Sequence, residues 1–287
     1  MLRFIAVFFL FFLFFSCITK TAADNDTGGI NEEIVQEDNK QYDDISAALI
    51  NARIPEDIIN NIQENLKSAN DFTGELNIIL NINPAFWILV DKEHALDSNY
   101  VPSDLVLLAK GSYVLNKSNL YLQKDAALSL EEMSAAAKTA DLTLVISSTY
   151  RSYSYQGEVY SRNANQMGRQ AADRVSARPG HSQHQLGLVV DFGSITNAFA
   201  STGEGIWLAA NASHFGWSLS YPQGMEKITG YSWESWHYRY VGREVTAFID
   251  KYFEGIQQYA LHFLHEYKNI NESKAAFPKA EVLESLE

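Results

Sequence analysis

The chain has 287 residues, a length that suits one catalytic domain with terminal extensions. Apolar residues make up 46% of it, enough to form a sizeable core. Its 22 basic and 35 acidic residues give a net charge of −13. Because a field of this sign repels nucleic acid and anionic surfaces, we predict no nucleic-acid partner. No protein partner can be inferred from the sequence.

The N-terminus resembles an export signal. An apolar run follows Arg3 and ends at Phe15, which is short for a membrane span. A small residue then precedes Cys17, the only cysteine, as in the lipobox of bacterial lipoproteins. We predict a signal peptide over 1–17, lipidation of Cys17 and a membrane-anchored protein in the periplasm or on the cell surface. Cleavage after Ala23 without lipidation is the alternative, and both interpretations imply export.

Four further segments follow the signal. Residues 18–44 are polar and acidic, which predicts a flexible tether. Apolar residues then recur at mostly helical spacing, so we expect a helical lead-in over 45–80. A catalytic domain over 81–267 and a tail over 268–287 complete the expected organisation.

Within the expected domain, hydrophobic patterns predict a mixture of helices and strands. Ser129 is the expected N-cap of an Ala-rich helix, with Glu132 three residues later. The order of elements lacks regular βαβ alternation, which favours an α+β fold. We expect strands over 85–90, 142–146, 187–192 and 235–241, and helices over 129–140, 155–172 and 243–267.

Two short segments concentrate histidine and carboxylate side chains. His184 precedes a turn at Gly187, Asp191 lies on the strand that follows, and His237 lies on a later strand. Two imidazoles and one carboxylate form a catalytic zinc set that leaves a coordination position for water. Zinc lowers the pKa of such a water to near neutrality. The spacing suggests one Zn²⁺ site, although these ligand types also accept other divalent ions.

The other histidines lack this pattern. His94, His214, His262 and His265 have no acidic partner at a recognisable spacing, and we interpret them as structural or surface residues. His181 adjoins the motif and is a candidate for supporting a ligand or contacting substrate.

A longer segment resembles a known family. Residues 178–191, Arg-Pro-Gly-His-Ser-Gln-His-Gln-Leu-Gly-Leu-Val-Val-Asp, are similar to the S-x-H-x-x-G-x-A-x-D signature of the D-alanyl-D-alanine carboxypeptidase family that includes VanY. Residues 150–152 and 234–242 resemble further family motifs in the same order, over about residues 80–255. The resemblance implies a single zinc-peptidase domain with a central antiparallel sheet flanked by helices, as in DD-peptidase and Hedgehog-like folds.

The resemblance also implies roles for side chains. It makes His184, Asp191 and His237 the metal ligands. Glu234 is the implied general base, which passes a proton from the attacking water to the leaving amine. Arg151 is implied to hold the substrate carboxylate or the developing oxyanion.

Two positions have weaker support. Gln156 and Ser182 match family positions that line the substrate cleft. A helix-surface amide and a turn-forming hydroxyl are the respective alternatives.

We therefore predict a zinc-dependent D-alanyl-D-alanine carboxypeptidase that removes the terminal D-alanine from peptidoglycan stem peptides. An LD-carboxypeptidase, a dipeptidase or an endopeptidase of the same fold is the alternative enzyme. A non-catalytic wall-binding lipoprotein is less favoured, because Glu234 is present.

Overall fold

The computed structural model describes residues 28–68 and 71–276 of the chain. The expected signal peptide, with Cys17 and the alternative cleavage point at Ala23, lies outside the described residues. No helix within the described ranges combines the length and the apolar character that crossing a bilayer requires.

Helices and strands follow one another irregularly along the chain, as expected for an α+β fold. The helices are α1 (Gly28–Asn51), α2 (Glu56–Ser68), α3 (Asp71–Asn81), α4 (Lys124–Thr139), α5 (Tyr153–Met167), α6 (Arg169–Val175), α7 (Gly203–Asn211), α8 (Glu226–Thr229), α9 (Arg243–Tyr252) and α10 (Gln257–Ala276). The strands are β1 (Leu105–Leu107), β2 (Val114–Leu115), β3 (Tyr121–Gln123), β4 (Val145–Ser148), β5 (Val189–Phe192), β6 (Trp217–Leu219) and β7 (His237–Tyr240).

A five-stranded sheet in the order β2-β4-β5-β7-β6 supports the candidate site. All neighbouring strands in it are antiparallel except β2 and β4, which are parallel. The register places Asp191 of β5 opposite His237 of β7 and beside Ser148 of β4. The α+β class is confirmed, and the parallel pair at one edge is the departure from the antiparallel sheet that we expected.

The chain divides into two compact units, residues 1–41 and 42–287. In the second unit, α2, α3, α9 and α10 bury their apolar faces in one core, together with the end of α1. Each fully buried Leu or Phe side chain contributes about 1.5–3 kcal/mol, so these helices stabilise the unit rather than lead into it. The expected boundary between a lead-in, 45–80, and a domain starting at residue 81 does not correspond to a boundary between compact units.

Residues 28–44, the described part of the flexible tether that we expected over 18–44, are helical. They belong to α1, and Ile45, Ala48 and Leu49 further along it are fully buried at helical spacing. Acidic composition misled the prediction, because Glu and Gln are themselves good helix formers.

The segment 85–90 is not the strand that we expected. A 3₁₀ turn covers Pro84–Phe86. Three backbone carbonyls, those of residues 85, 86 and 88, accept hydrogen bonds from Nη2 of Arg239 at 3.3, 3.2 and 2.8 Å. Arg239 is fully buried on β7, and this burial lowers its pKa to about 10. The segment therefore serves as a backbone cradle for a buried cation, and its carbonyls are not available to a sheet.

Two long predicted helices are each interrupted. Gly168, at φ +81°, separates α5 from α6 within the predicted helix 155–172. Glu254 and Gly255, both at positive φ, separate α9 from α10 within the predicted helix 243–267. Helix α10 continues to Ala276, so residues 268–276 are helical and only 277–287 of the expected tail lie outside the described chain.

The Ala-rich helix begins earlier than its predicted N-cap. Helix α4 starts at Lys124, and Ser129 lies inside it. The Ser129 hydroxyl donates to the carbonyl of Phe215 at 2.5 Å and accepts from Nε1 of Trp217 at 3.0 Å. Ser129 therefore joins two elements instead of capping one.

Candidate metal centre and active-site cleft

Three side chains converge where β5 and β7 pair. His184 lies on the 3₁₀ turn Gln183–Leu186, Asp191 on β5 and His237 at the start of β7. His184 Nε2 lies 3.2 Å from Asp191 Oδ2, and His237 Nδ1 lies 3.0 Å from Asp191 Oδ1. One ligand atom from each residue fits within 4.8 Å of the others, and all three residues are buried. We name these residues the metal-centre cluster.

The protonation of His184 favours metal binding. Its Nδ1 donates to the backbone carbonyl of Thr149 at 2.6 Å, which leaves the lone pair on Nε2, facing Asp191. Burial lowers the pKa of His184 to about 4, and the positive charge of Arg151 adds to the effect. The imidazole is therefore neutral near pH 7, as a metal ligand must be.

Asp191 is the candidate anionic ligand. Burial raises the pKa of Asp191, but interactions with His184 and His237 outweigh it and hold the pKa well below the usual value. Within the described ranges, Asp191 Oδ1 is a buried oxygen that accepts no hydrogen bond of acceptable geometry. An ionised, buried oxygen with spare lone pairs beside two imidazole nitrogens matches the donor set of a zinc site, so the residues fit the metal.

Arg151 links this cluster to the cleft. It follows β4, and its Nη2 lies 2.7 Å from His184 Nε2 and 3.1 Å from Asp191 Oδ2. Nη1 donates to Gln156 Oε1 at 2.9 Å, and Nε donates to Ser148 Oγ at 3.3 Å. The guanidinium thus has a fixed position at the edge of the cluster.

Glu234 lies beside the cluster, three residues before His237. Its Oε2 is 3.4 Å from His237 Nδ1. Burial raises the pKa of Glu234 to about 8, and the negative charge of Asp191 contributes to the rise. A buried carboxyl group with a raised pKa beside candidate metal ligands is a candidate proton-transfer group.

These residues open onto a cavity of about 280 Å³. Ser182 and Gln156 line it, together with Arg151 and Glu234. Gln156 is 1% exposed, so the alternative of a helix-surface amide is wrong. Its Nε2 donates to the carbonyl of Ala177 at 2.7 Å while its Oε1 receives Arg151, so its amide is already used in holding the guanidinium.

His181 lies apart from this group. It is not among the residues that line the cavity, and its Nδ1 is 2.7 Å from the carbonyl oxygen of Asp91. This contact joins His181 to the segment at Asp91, and it corresponds to neither of the two roles that we considered, support of a ligand and contact with substrate.

A second group of histidines surrounds Asp91. His94 Nδ1 lies 2.8 Å from Asp91 Oδ1, and His262 Nε2 lies 3.2 Å from Asp91 Oδ2. Two backbone N–H groups also donate to Oδ1, and Gln258 donates to Oδ2. Burial raises the pKa of Asp91, but these hydrogen bonds outweigh it and hold the pKa below the usual value. We name Asp91, His94 and His262 the Asp91 cluster; it gives His94 and His262 the acidic partner that we did not recognise in the sequence.

Two residues that support the metal-centre cluster were not predicted. Gln183 Oε1 lies 3.3 Å from His237 Nε2, and the ring of Tyr221 packs on that of His237 with centroids 4.7 Å apart. Gln183 stands inside the family motif, where its position next to His184 could have indicated it. Tyr221 stands in a Tyr-Pro pair that also resembles the family, but its contact with His237 depends on how the chain folds.

Comparisons with known proteins indicate the family of this chain. A sequence model described as VanY, D-alanyl-D-alanine carboxypeptidase, matches residues 119–243. The chain is 37% identical over 184 residues to YodJ of Bacillus subtilis (strain 168), covering 59% of this chain and 67% of YodJ. It is 31% identical to a D-alanyl-D-alanine carboxypeptidase of Enterococcus faecium, covering 65% of this chain and 60% of that protein. The chain thus spans less than two thirds of the Enterococcus faecium enzyme.

Solved structures show the same relationship. The LdcB LD-carboxypeptidase has 35% identity and a TM-score of 0.54, covering 61% of this chain and 88% of LdcB. A VanY D,D-pentapeptidase solved with Zn(II) has 29% identity and a TM-score of 0.51, covering 64% of this chain and 98% of that one. VanYB in complex with D-alanine-D-alanine has 29% identity and a TM-score of 0.51, and the match covers 65% of this chain and 98% of VanYB. The chain therefore belongs to the D-alanyl-D-alanine carboxypeptidase family that includes VanY, a family of peptidases.

Proposed function

We propose that the protein is a zinc-dependent carboxypeptidase that hydrolyses the last peptide bond of peptidoglycan stem peptides ending in D-alanyl-D-alanine, and so releases D-alanine. The observation that carries the proposal is that Glu234 and Arg151 share one cleft with the buried metal-centre cluster. The relationships to VanY and to the Enterococcus faecium carboxypeptidase support it.

Zinc and the cleft residues have separate roles in this reaction. When bound, zinc supplies Lewis acidity toward a peptide carbonyl and lowers the pKa of a water. Arg151 brings a guanidinium cation into the cleft, and a cation there suits the carboxylate end of the peptide. Gln156 and Ser148 hold the guanidinium in place, so the substrate need not order it on binding.

Glu234 transfers the proton. As the attacking water adds its oxygen to the carbonyl carbon, the Glu234 carboxylate takes one proton from it. Glu234 then gives that proton to the amine as the C–N bond breaks. The water oxygen remains in the new carboxylate of the shortened peptide, the second proton of the water passes to the amine through solvent, and free D-alanine leaves.

A second candidate function differs only in the peptide bond that is hydrolysed. LdcB is an LD-carboxypeptidase and shares 35% identity with this chain, which favours removal of D-alanine from a tetrapeptide as the alternative. The ligands and the proton-transfer group are the same in both candidates, so the substrate test below separates them.

We also propose that the protein is exported and anchored by lipid at Cys17. The apolar run before Cys17 supports this, and stem peptides of the wall lie outside the cytoplasmic membrane. Incorporation of a labelled fatty acid into the parent but not into Cys17→Ser tests the anchor. Equal labelling of both chains would contradict it.

The enzymatic test uses synthetic stem pentapeptides and tetrapeptides with the full-length, zinc-supplemented chain. Mass spectrometry identifies the products of the parent, of Glu234→Gln and of Glu158→Gln, which changes an exposed glutamate on α5. We expect the parent and Glu158→Gln to convert pentapeptide to tetrapeptide, and Glu234→Gln to be about 10²–10⁴-fold slower.

Each outcome has a distinct meaning. Conversion of tetrapeptide to tripeptide, with the pentapeptide left intact, would replace the first candidate by the second. Intact peptides in the presence of bound zinc would contradict both. Equal activity in Glu234→Gln and the parent would contradict the role of Glu234.

A further inference from the structure

A buried polar group lies behind His237, on the side away from the cleft. Gln183 Oε1 is 3.3 Å from His237 Nε2, and the hydroxyl of Ser220 donates to the same oxygen at 2.7 Å. Gln183 and Ser220 are each 1% exposed, and neither lines the cavity. These two side chains are therefore placed to act on His237 but not on substrate.

The amide oxygen decides which nitrogen of His237 carries hydrogen. With the amide in this orientation, its oxygen faces Nε2 and can only accept, so Nε2 carries the hydrogen in this arrangement. The lone pair then lies on Nδ1, which faces Asp191 Oδ1 at 3.0 Å. An amide turned the other way would place its NH₂ against Nε2 and move the hydrogen to Nδ1, where it would block a metal bond.

Ser220 supports this orientation of the amide, in which the NH₂ of Gln183 has no hydrogen-bond partner among the described residues. Its single hydroxyl hydrogen has two acceptors within reach, Gln183 Oε1 at 2.7 Å and Gln257 Oε1 at 3.3 Å. The shorter contact favours Gln183. The amide NH₂ of Gln257 is engaged separately, as it donates to the carbonyl of Ser218 at 3.2 Å.

We propose that Gln183 is a positioning residue of the metal centre: supported by Ser220, it selects the form of His237 whose Nδ1 binds the metal. The inference deepens the proposed zinc-dependent function and rests on it. The other ligand histidine has a backbone counterpart, since His184 Nδ1 donates to the carbonyl of Thr149 at 2.6 Å. The partner of His184 is a backbone carbonyl, which substitution cannot remove, whereas the partner of His237 is the side chain of Gln183, which substitution can remove.

The test compares two buried glutamines on the same turn. Gln183→Met removes the acceptor and keeps most of the volume. Gln185→Met is the matched control, because Gln185 is fully buried but donates to the carbonyls of residues 97 and 100 and has no recorded contact with a ligand. Zn²⁺ affinity of the full-length chain is measured by competition with a chromophoric chelator, and the visible spectrum of bound Co²⁺ reports ligand geometry.

We expect Gln183→Met to bind Zn²⁺ about 10–100-fold more weakly and to shift the Co²⁺ absorption bands. Gln185→Met should lower the melting temperature yet keep the parental affinity and spectrum. Gln183→Glu, which restores an acceptor, should recover the parental affinity or exceed it. Ser220→Ala, a smaller change in case Gln183→Met does not fold, should weaken binding about threefold to tenfold.

Parental affinity and an unchanged Co²⁺ spectrum in Gln183→Met or in Ser220→Ala would overturn the inference. Equal losses in Gln183→Met and Gln185→Met would also overturn it, because they would show a general effect of packing. The readout does not depend on turnover. A parent that binds zinc tightly but releases no D-alanine would contradict the proposed function and leave the role of Gln183 intact.

Discussion

Two clusters in this protein have the same composition, one aspartate between two histidines, but they differ in what the aspartate does. In the metal-centre cluster, Asp191 Oδ1 accepts no hydrogen bond of acceptable geometry from the described chain. In the Asp91 cluster, backbone and side-chain donors occupy both carboxylate oxygens. The residue types in a cluster are therefore a poor guide to a metal site. Carboxylate oxygens with lone pairs not used in hydrogen bonds are a better guide.

The clusters also differ in their supports. His184 and His237 are 2% and 4% exposed and stand on a turn and a strand of one sheet. The side chains of His94 and His262 are 29% and 27% exposed, and they come from a turn and from α10. Metal binding costs less free energy when the ligands are already buried and held in place. The four predictions below therefore compare the two clusters or their surroundings.

The largest expected effect separates the two aspartates. Asp191→Asn removes the anionic ligand, so we expect loss of stoichiometric zinc and a fall in D-alanine release of about 10³-fold or more. Asp91→Asn should retain one zinc per chain and more than half the activity. Metal analysis after gel filtration, with activity assays, checks both. Loss of zinc in Asp91→Asn would show that the Asp91 cluster also holds metal.

Zinc should stabilise the protein through the metal-centre cluster alone. At a free zinc concentration 1,000 times the Kd, binding contributes about 4 kcal/mol to the free energy of unfolding. We expect a chelator to lower the melting temperature of the parent and of Asp91→Asn by several degrees and to leave Asp191→Asn unchanged. Thermal unfolding with and without chelator measures this. A chelator effect that persists in Asp191→Asn would place the stabilising metal elsewhere.

Arg151→Lys tests the guanidinium at the edge of the metal-centre cluster. Lysine keeps the charge but cannot make the paired contacts to Gln156 and Ser148. We expect kcat/KM to fall about 10–100-fold, equivalent to about 1.4–2.7 kcal/mol, with zinc content unchanged. The control, Arg178→Lys, changes an exposed arginine paired with Asp173 and should behave as the parent does. Unaltered kinetics in Arg151→Lys would exclude a paired contact with substrate.

The smallest expected effect concerns stability and pH. Because the pKa of Asp91 is lower in the folded chain than its usual value, its carboxylate stabilises the fold above about pH 4 and progressively less as the pH falls below that. We expect Asp91→Asn to cost about 1–3 kcal/mol at pH 7 and less at pH 3. Urea unfolding at both values measures the difference, with exposed Asp250→Asn as the control. If the loss of unfolding free energy in Asp91→Asn is the same at both pH values, the effect comes from altered packing rather than from the lost charge.

Much of the site could be predicted, because its residues occur in short motifs with regular spacing. The sequence analysis assigned Asp191 and His237 to separate strands, and the register sets the two residues opposite each other. Their roles as metal ligands remain predictions until metal binding is measured. Gln156 is different, since its match to a family position implied a cleft residue but could not reveal that its amide is used by Arg151 and Ala177.

The errors in the fold share a cause, which is that local pattern does not show which groups meet in space. Helical periodicity continues through Gly168 and Gly255, but the chain turns at both, where positive φ suits glycine. The apolar segment 85–90 has the composition of a strand, yet its carbonyls contact a side chain from β7. Acidic composition concealed a helix over 28–44 in the same way.

The buried cation on β7 has a consequence for how this sequence can vary. Had Arg239 been paired with a carboxylate, two positions would have had to change together during evolution. Its recorded acceptors are instead the backbone carbonyls of residues 85, 86 and 88, which every amino acid provides. Related sequences should therefore keep arginine at this position while the three facing positions drift, and no covarying partner should reveal the contact.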